Sequence, residues 1–165
     1  RLEQVRDIFL FCCLTGLAYV DVASLSTENI VEGKRGRQWL RKARNKTNNM
    51  CNIPLLRPAL RILEKYAEYR AATGRLLPVP SNQKMNAYLK ELATLCGVAK
   101  NLTTHCARHT FATTVTLANG ASLENVSKML GHSSVRMTQH YAKILNSSIE
   151  RDMDKIESEL IGEDE

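Results

Sequence analysis

Between Ile30 and Ile53 the chain changes its period. Ile30-Val31, Trp39-Leu40-Arg41 and Cys51-Asn52-Ile53 are short β-branched and aromatic runs divided by turn-rich segments, the pattern of three strands. The last two flank Asn45-Lys46-Thr47-Asn48-Asn49, a polar run suited to a hairpin connection. Everything around this island has helical spacing. Apolar residues at 2, 5, 8, 9 and 12 predict a first helix that stops at Gly16, a residue suited to a left-handed cap. A short helix over Tyr19–Leu25 is broken by Ser26-Thr27. After the strands, Pro58 fits the first turn of a helix reaching Tyr69, and Ser81 caps one over Asn82–Cys96. Thr103 or Thr104 caps the next, which carries His105, Arg108 and Phe111 and ends near Gly120. Ser122 opens a helix through Met129-Leu130 that Gly131 closes, and a further one over Val135–Ile144 carries Tyr141. The expected class is mainly α with a small three-stranded antiparallel sheet (α+β).

The 165 residues suit one domain with a sizeable core. A content of 44% hydrophobic and 24% charged residues argues against a disordered chain, and no run approaches the ~18 apolar residues of a membrane span. The start Arg1-Leu2-Glu3-Gln4 is neither a methionine nor a leader, so an internal piece of a longer protein is expected. Five cysteines, an odd number with no C-x-x-C pair, point to a reduced intracellular compartment. Cys12, Cys13, Cys51, Cys96 and Cys106 are expected as small core fillers. Charge is distributed unevenly. Residues 1–146 hold 21 Lys and Arg against 9 Asp and Glu, a net +12, while residues 147–165 hold 2 against 8, a net −6. The basic body suits a polyanion such as DNA, or is simply a solvated surface. The acidic end places Ile149, Met153, Ile156 and Leu160 on one helix face.

His105-Cys106-Ala107-Arg108-His109 is the densest cluster of reactive side chains. Histidines at i and i+4 resemble half a zinc site, but Cys106 stands where a catalytic Glu would follow, and no third ligand is suitably spaced. A second cluster, Leu130-Gly131-His132, lies two dozen residues on, and Tyr141 follows nine residues after His132. His-x-x-Arg, Gly-His and Tyr in that order resemble the tyrosine recombinase (phage integrase) family. The resemblance covers essentially the whole chain as that family's catalytic domain: Thr15-Gly16-Leu17, a hairpin lysine, Thr104 to Ala112, Met129-Leu130-Gly131-His132 and Gln139-His140-Tyr141. Its phrasing is most similar to integrases of conjugative elements and prophages.

The resemblance implies site-specific cutting and rejoining of DNA through a 3′-phosphotyrosine on Tyr141, without metal, ATP or other cofactor. Arg108, His105 and His132 would stabilise charge on the phosphate oxygens. Lys46 would protonate the leaving 5′-oxygen, with Lys42 and Arg44 as rivals on the same hairpin. Asp21 and His109 would support the site, and His140 is read as supporting or structural. Tyr141 is expected to face the DNA. Residues 1–146 would form the catalytic core and 147–165 an acidic tail that mediates self-association into a synaptic tetramer. The amino-terminal DNA-clamping part would lie outside this chain. Double-stranded DNA is the implied partner, and the bacterial cytoplasm, at the nucleoid, is the implied location.

One position departs from the family pattern. The first catalytic arginine of the family follows Thr-Gly-Leu directly, and here that position is Ala18. Losing such a donor costs roughly 3–4 kcal/mol in the transition state. Either another basic residue, Arg44 or Arg41, fills the gap, or the enzyme is slow, or the chain is a relative that binds DNA without cutting it. A topoisomerase-like relaxing activity would share the same nucleophile.

Overall fold

Residues 1–143 and 147–161 are described in a computed structural model. Helix α1 (Leu2–Thr15) packs against α3 (Arg57–Lys65), α5 (Asn82–Leu95) and α6 (Thr104–Thr110). Val5, Ile8, Phe11 and Cys12 on α1 are each at most 1% exposed. Burying a large apolar side chain stabilises the fold by about 1.5–3 kcal/mol, so this helix anchors the core. It ends where expected, at Gly16 with φ 72°, whose N–H donates to the Cys12 carbonyl at 2.8 Å. A Cβ there would lie 2.5 Å from the Phe111 ring, so the position also demands a glycine for space.

A short α2 (Tyr19–Ala23) leads to strands β1 (Ile30–Glu32), β2 (Gln38–Ala43) and β3 (Met50–Pro54). They form one antiparallel sheet in the order β1-β2-β3, with Leu40 opposite both Ile30 and Ile53. Leu40, Cys51 and Ile53 are buried, which sets the inward face of the sheet.

The single helix expected from Pro58 to Tyr69 is two: α3 (Arg57–Lys65) and α4 (Ala67–Thr73), parted at Tyr66. The cause lies at Asp7, a buried carboxylate on α1. Lys65 Nζ donates to its Oδ2 at 2.6 Å and Tyr66 Oη to the same oxygen at 2.9 Å. Arg6 donates to Oδ1 at 2.7 Å. Burial alone would raise the Asp7 pKa, yet these three donors hold it below the usual carboxylate range.

Helix α5 (Asn82–Leu95) is capped by Ser81, whose hydroxyl accepts from the Lys84 N–H. Helix α6 (Thr104–Thr110) is capped by Thr103, which accepts from the Cys106 N–H. It does not continue unchanged to Gly120. The chain widens into a π-helical turn over Phe111–Thr116 and a 3₁₀ turn over Leu117–Asn119. Within that wide turn the Thr116 hydroxyl donates to the carbonyls of Phe111 and Ala112.

Helix α7 (Leu123–Leu130) is closed by Gly131, as expected. A 3₁₀ turn over Val135–Met137 and the short α8 (Gln139–Ala142) replace the helix expected to run to Ile144, which lies outside the described residues. The acidic helix α9 spans Ser147–Ile161. Of the cysteines, Cys12, Cys13 and Cys51 are buried as expected; Cys96 is exposed and Cys106 only half-buried, so neither is a core filler. No helix among the described residues is long and apolar enough to cross a membrane.

Candidate active site

The site is assembled where two helix ends meet α6. Gly16 ends α1 and Gly131 ends α7, both in the left-handed conformation, and both ends present carbonyls to α6. Arg108 on α6 takes them. One guanidinium nitrogen donates to the Gly16 carbonyl at 2.6 Å and the other to the Leu130 carbonyl at 2.8 Å. The residue is only 6% exposed. Its charge is kept buried by satisfying helix-end acceptors that would otherwise lack donors. Burial, then repulsion from Arg44, pull its pKa below the ordinary guanidinium value.

Gly131 aims the next residue. Its N–H donates to the Lys128 carbonyl and the His132 N–H to the Ser127 carbonyl, the paired bonds of a Schellman ending. His132 therefore leaves the helix in a defined direction. Its Nε2 lies 3.3 Å from an Arg108 nitrogen, and its Nδ1 lies 2.6 Å from Thr138 Oγ1. A guanidinium can only donate, so Nε2 is the acceptor and Nδ1 carries the proton that Thr138 receives. Burial and the positive charges of Arg108 and Arg44 push the imidazole pKa down to about 4. His132 is neutral at neutral pH.

Tyr141 on α8 is nearly buried, 4% exposed, rather than facing outward as expected. The His109 ring meets it edge-on with centroids 5.1 Å apart, and the His140 ring lies tilted against it at 3.9 Å. These two histidines enclose the phenol ring on a helix too short to carry it away from the body.

Asp21 in α2 is buried and works on the hairpin. One carboxylate oxygen accepts from the Asn45 N–H at 2.8 Å, while the Asn45 amide donates to the Val20 carbonyl. The loop carrying Lys46 is thereby fixed to α2. Lys46 itself is exposed and has no ion-pair partner among the described residues. His105 is exposed too, in the first turn of α6, three residues before the buried Arg108. Arg108 and His132 are in contact, Thr138 joins His132 to the helix of Tyr141, and His109 meets the Tyr141 ring, while exposed Lys46 and His105 make no hydrogen bond with any of them among the described residues.

Two contributors escaped the sequence reading. Thr138, fully buried, fixes the His132 tautomer; a threonine just ahead of the tyrosine helix was the available signal. The carbonyls of Gly16 and Leu130 have no side-chain signature at all. Among the described residues no three His, Cys, Asp or Glu side chains gather as a metal-ligand set.

Residues 3–147 match the phage integrase family. The chain belongs to that family. Family membership covers the helix ends, the hairpin and the tyrosine helix described above. Among curated relatives, the tyrosine recombinase XerD of Rhizobium meliloti is 32% identical over 146 residues, 82% of this chain and 45% of that protein. The XerD of Corynebacterium glutamicum is 32% identical over 136 residues, 81% of this chain and 43% of that one. The chain thus spans less than half the length of these relatives. Solved structures agree on the fold. XerA recombinase superposes with a TM-score of 0.69 at 20% identity, covering 94% of this chain and 63% of its own. A lambda integrase dimer bound to a core site superposes at 0.64 and 20% identity, covering 84% and 52%. The mainly helical catalytic domain with its three-stranded antiparallel sheet is therefore that of the tyrosine recombinases.

Proposed function

We propose that this chain is the catalytic domain of a site-specific DNA recombinase that cuts and rejoins strands through Tyr141. The observation that carries the reading is the linkage, in a chain of this family, of one buried arginine, Arg108, through His132 to Thr138, the residue at the N-cap of the Tyr141 helix. In the step proposed, the Tyr141 oxygen attacks the scissile phosphorus as its proton leaves, and the bond from phosphorus to the 5′-oxygen breaks. A 3′-phosphotyrosine and a free 5′-hydroxyl result, with one phosphoester exchanged for another. Arg108, held rigid by its two carbonyls and by His132 Nε2, which accepts from it, supplies donors to the non-bridging oxygens, and His105 adds a hydrogen bond when DNA is bound. Lys46, on a loop fixed by Asp21 through Asn45, protonates the leaving 5′-oxygen. His109 positions the Tyr141 ring.

Tyr141 starts buried, so DNA binding has to draw it toward the phosphate. The basic body, net +12 over residues 1–146, supplies the attraction to double-stranded DNA. The proposal extends to self-association through α9, on which Ile149, Met153, Ile156 and Leu160 are all exposed. The bacterial nucleoid as location, and an origin in a conjugative element or prophage, remain part of the same proposal.

The test starts by selecting duplexes that bind this chain from a random-sequence pool. The selected duplex is then nicked at successive positions so that a cleaved end diffuses away. A covalent protein–DNA product on a denaturing gel, absent with Tyr141→Phe, is the expected result. Binding without any such product would favour the reading that Ala18 has left a DNA-binding relative without chemistry.

A further inference from the structure

Arg44 is a largely enclosed cation with one carboxylate, Asp21, beside it among the described residues. It follows the last residue of β2 and closes the hairpin through its backbone: its N–H donates to the Asn49 carbonyl at 2.9 Å, and its carbonyl accepts from the Asn48 N–H at 2.8 Å. The side chain then runs beneath Gly131. A Cβ on that glycine would lie 2.9 Å from Arg44 Cδ and 3.3 Å from Cγ, so the glycine that aims His132 also makes room for Arg44. Only 12% of the side chain is exposed. Its Nε is buried with no hydrogen-bond partner among the described residues. The nearest carboxylate oxygen, on Asp21, is 3.9 Å away, beyond hydrogen-bond distance, and the other Asp21 oxygen already accepts from Asn45.

Arg108 is the neighbouring cation, and the positive charge of Arg44 acts on both Arg108 and His132. Two largely buried guanidiniums thus share a site with one carboxylate, Asp21, among the described residues. Such an arrangement is costly unless a further anion joins it. A phosphoryl group in the course of transfer gathers negative charge on its non-bridging oxygens, and two forked donors suit it. Ala18 lies two residues beyond Gly16, whose carbonyl holds Arg108, and cannot donate a hydrogen bond from its side chain. Arg41, the other hairpin arginine considered, is exposed.

We propose that Arg44 is a catalytic residue of this site, the second guanidinium that with Arg108 holds the scissile phosphate, in the role Ala18 cannot fill. The proposal rests on the recombinase reading given above. Arg44 acts by donating hydrogen bonds and forms no covalent bond.

The decisive comparison is single-turnover formation of the covalent product at saturating DNA, on the selected nicked duplex. Arg44→Ala should slow it by about a hundred- to a thousandfold, with a far smaller effect on affinity. Arg44→Lys should recover part of the rate, and so should Ala18→Arg added to Arg44→Ala; Arg41→Ala should leave the covalent step unchanged. Thermal unfolding checks that the variants fold, which relief of the repulsion with Arg108 favours. In parallel, inorganic phosphate is titrated while the His132 ring signals are followed by NMR. Arg44→Ala should weaken that binding by about tenfold or more. A product rate equal to the unaltered chain's in Arg44→Ala overturns the proposal. If the unaltered chain forms no Tyr141-dependent product, the recombinase reading falls instead. The phosphate titration alone then decides whether Arg44 belongs to an anion site.

Discussion

At the scale of single residues, buried charges and tautomers carry the site. His132 should hold its proton on Nδ1 and remain neutral down to about pH 4, which nitrogen chemical shifts read directly. Its ring titrates near pH 6.5 when unfolded, so between pH 6.5 and 4 the unfolded chain binds a proton that the folded one refuses. Stability should therefore fall as pH drops through that window, and less steeply in His132→Gln. Arg108→Ala should leave the Gly16 and Leu130 carbonyls without donors and cost about 2–5 kcal/mol in urea unfolding, besides abolishing any covalent product. Arg108, His132 and Tyr141 were legible in the sequence as types in a fixed order. The burial of Arg108 was not, because its partners are backbone carbonyls that any residue supplies. Nor was the burial of Tyr141, which depends on rings from two other positions.

At the scale of elements, helix ends do most of the positioning. Gly131→Ala should destabilise the fold by at least about 1–2 kcal/mol for the left-handed backbone, more once its Cβ meets Cys51 and Arg44. It should also disturb the His132 ring signals, which a purely local loss of stability would leave alone. Caps and glycine stops were readable from sequence at Gly16, Ser81, Ser122 and Gly131, because each works through its own neighbours, and the α6 cap was narrowed to Thr103 or Thr104. The break at Tyr66 was not, since it answers to Asp7 on another helix. Neither was the wide turn after α6. Its backbone departs from the helix while the spacing of Phe111 and Ala112 stays compatible with one.

At the scale of the molecule, charge and the acidic helix matter most. Binding to duplex DNA should weaken steeply with salt, with a log–log slope of several units at roughly 0.9 per phosphate neutralised. A slope near zero would mean that the basic surface does not meet DNA. Truncation after residue 146 removes a net charge of −6 and the exposed Ile149, Met153, Ile156 and Leu160. Sedimentation on DNA carrying one or two sites should show assembly of several copies weakened more than single-site binding. Equal loss of both would assign the helix a purely intramolecular role.

The most direct test of strand cutting through Tyr141 is to locate the covalent bond itself. The product formed on the nicked duplex is digested with a protease and a nuclease, and mass spectrometry finds the peptide that carries a nucleotide. A phosphodiester on Tyr141 is the result expected. A nucleotide on any other residue, or a product that survives in Tyr141→Phe, would contradict it.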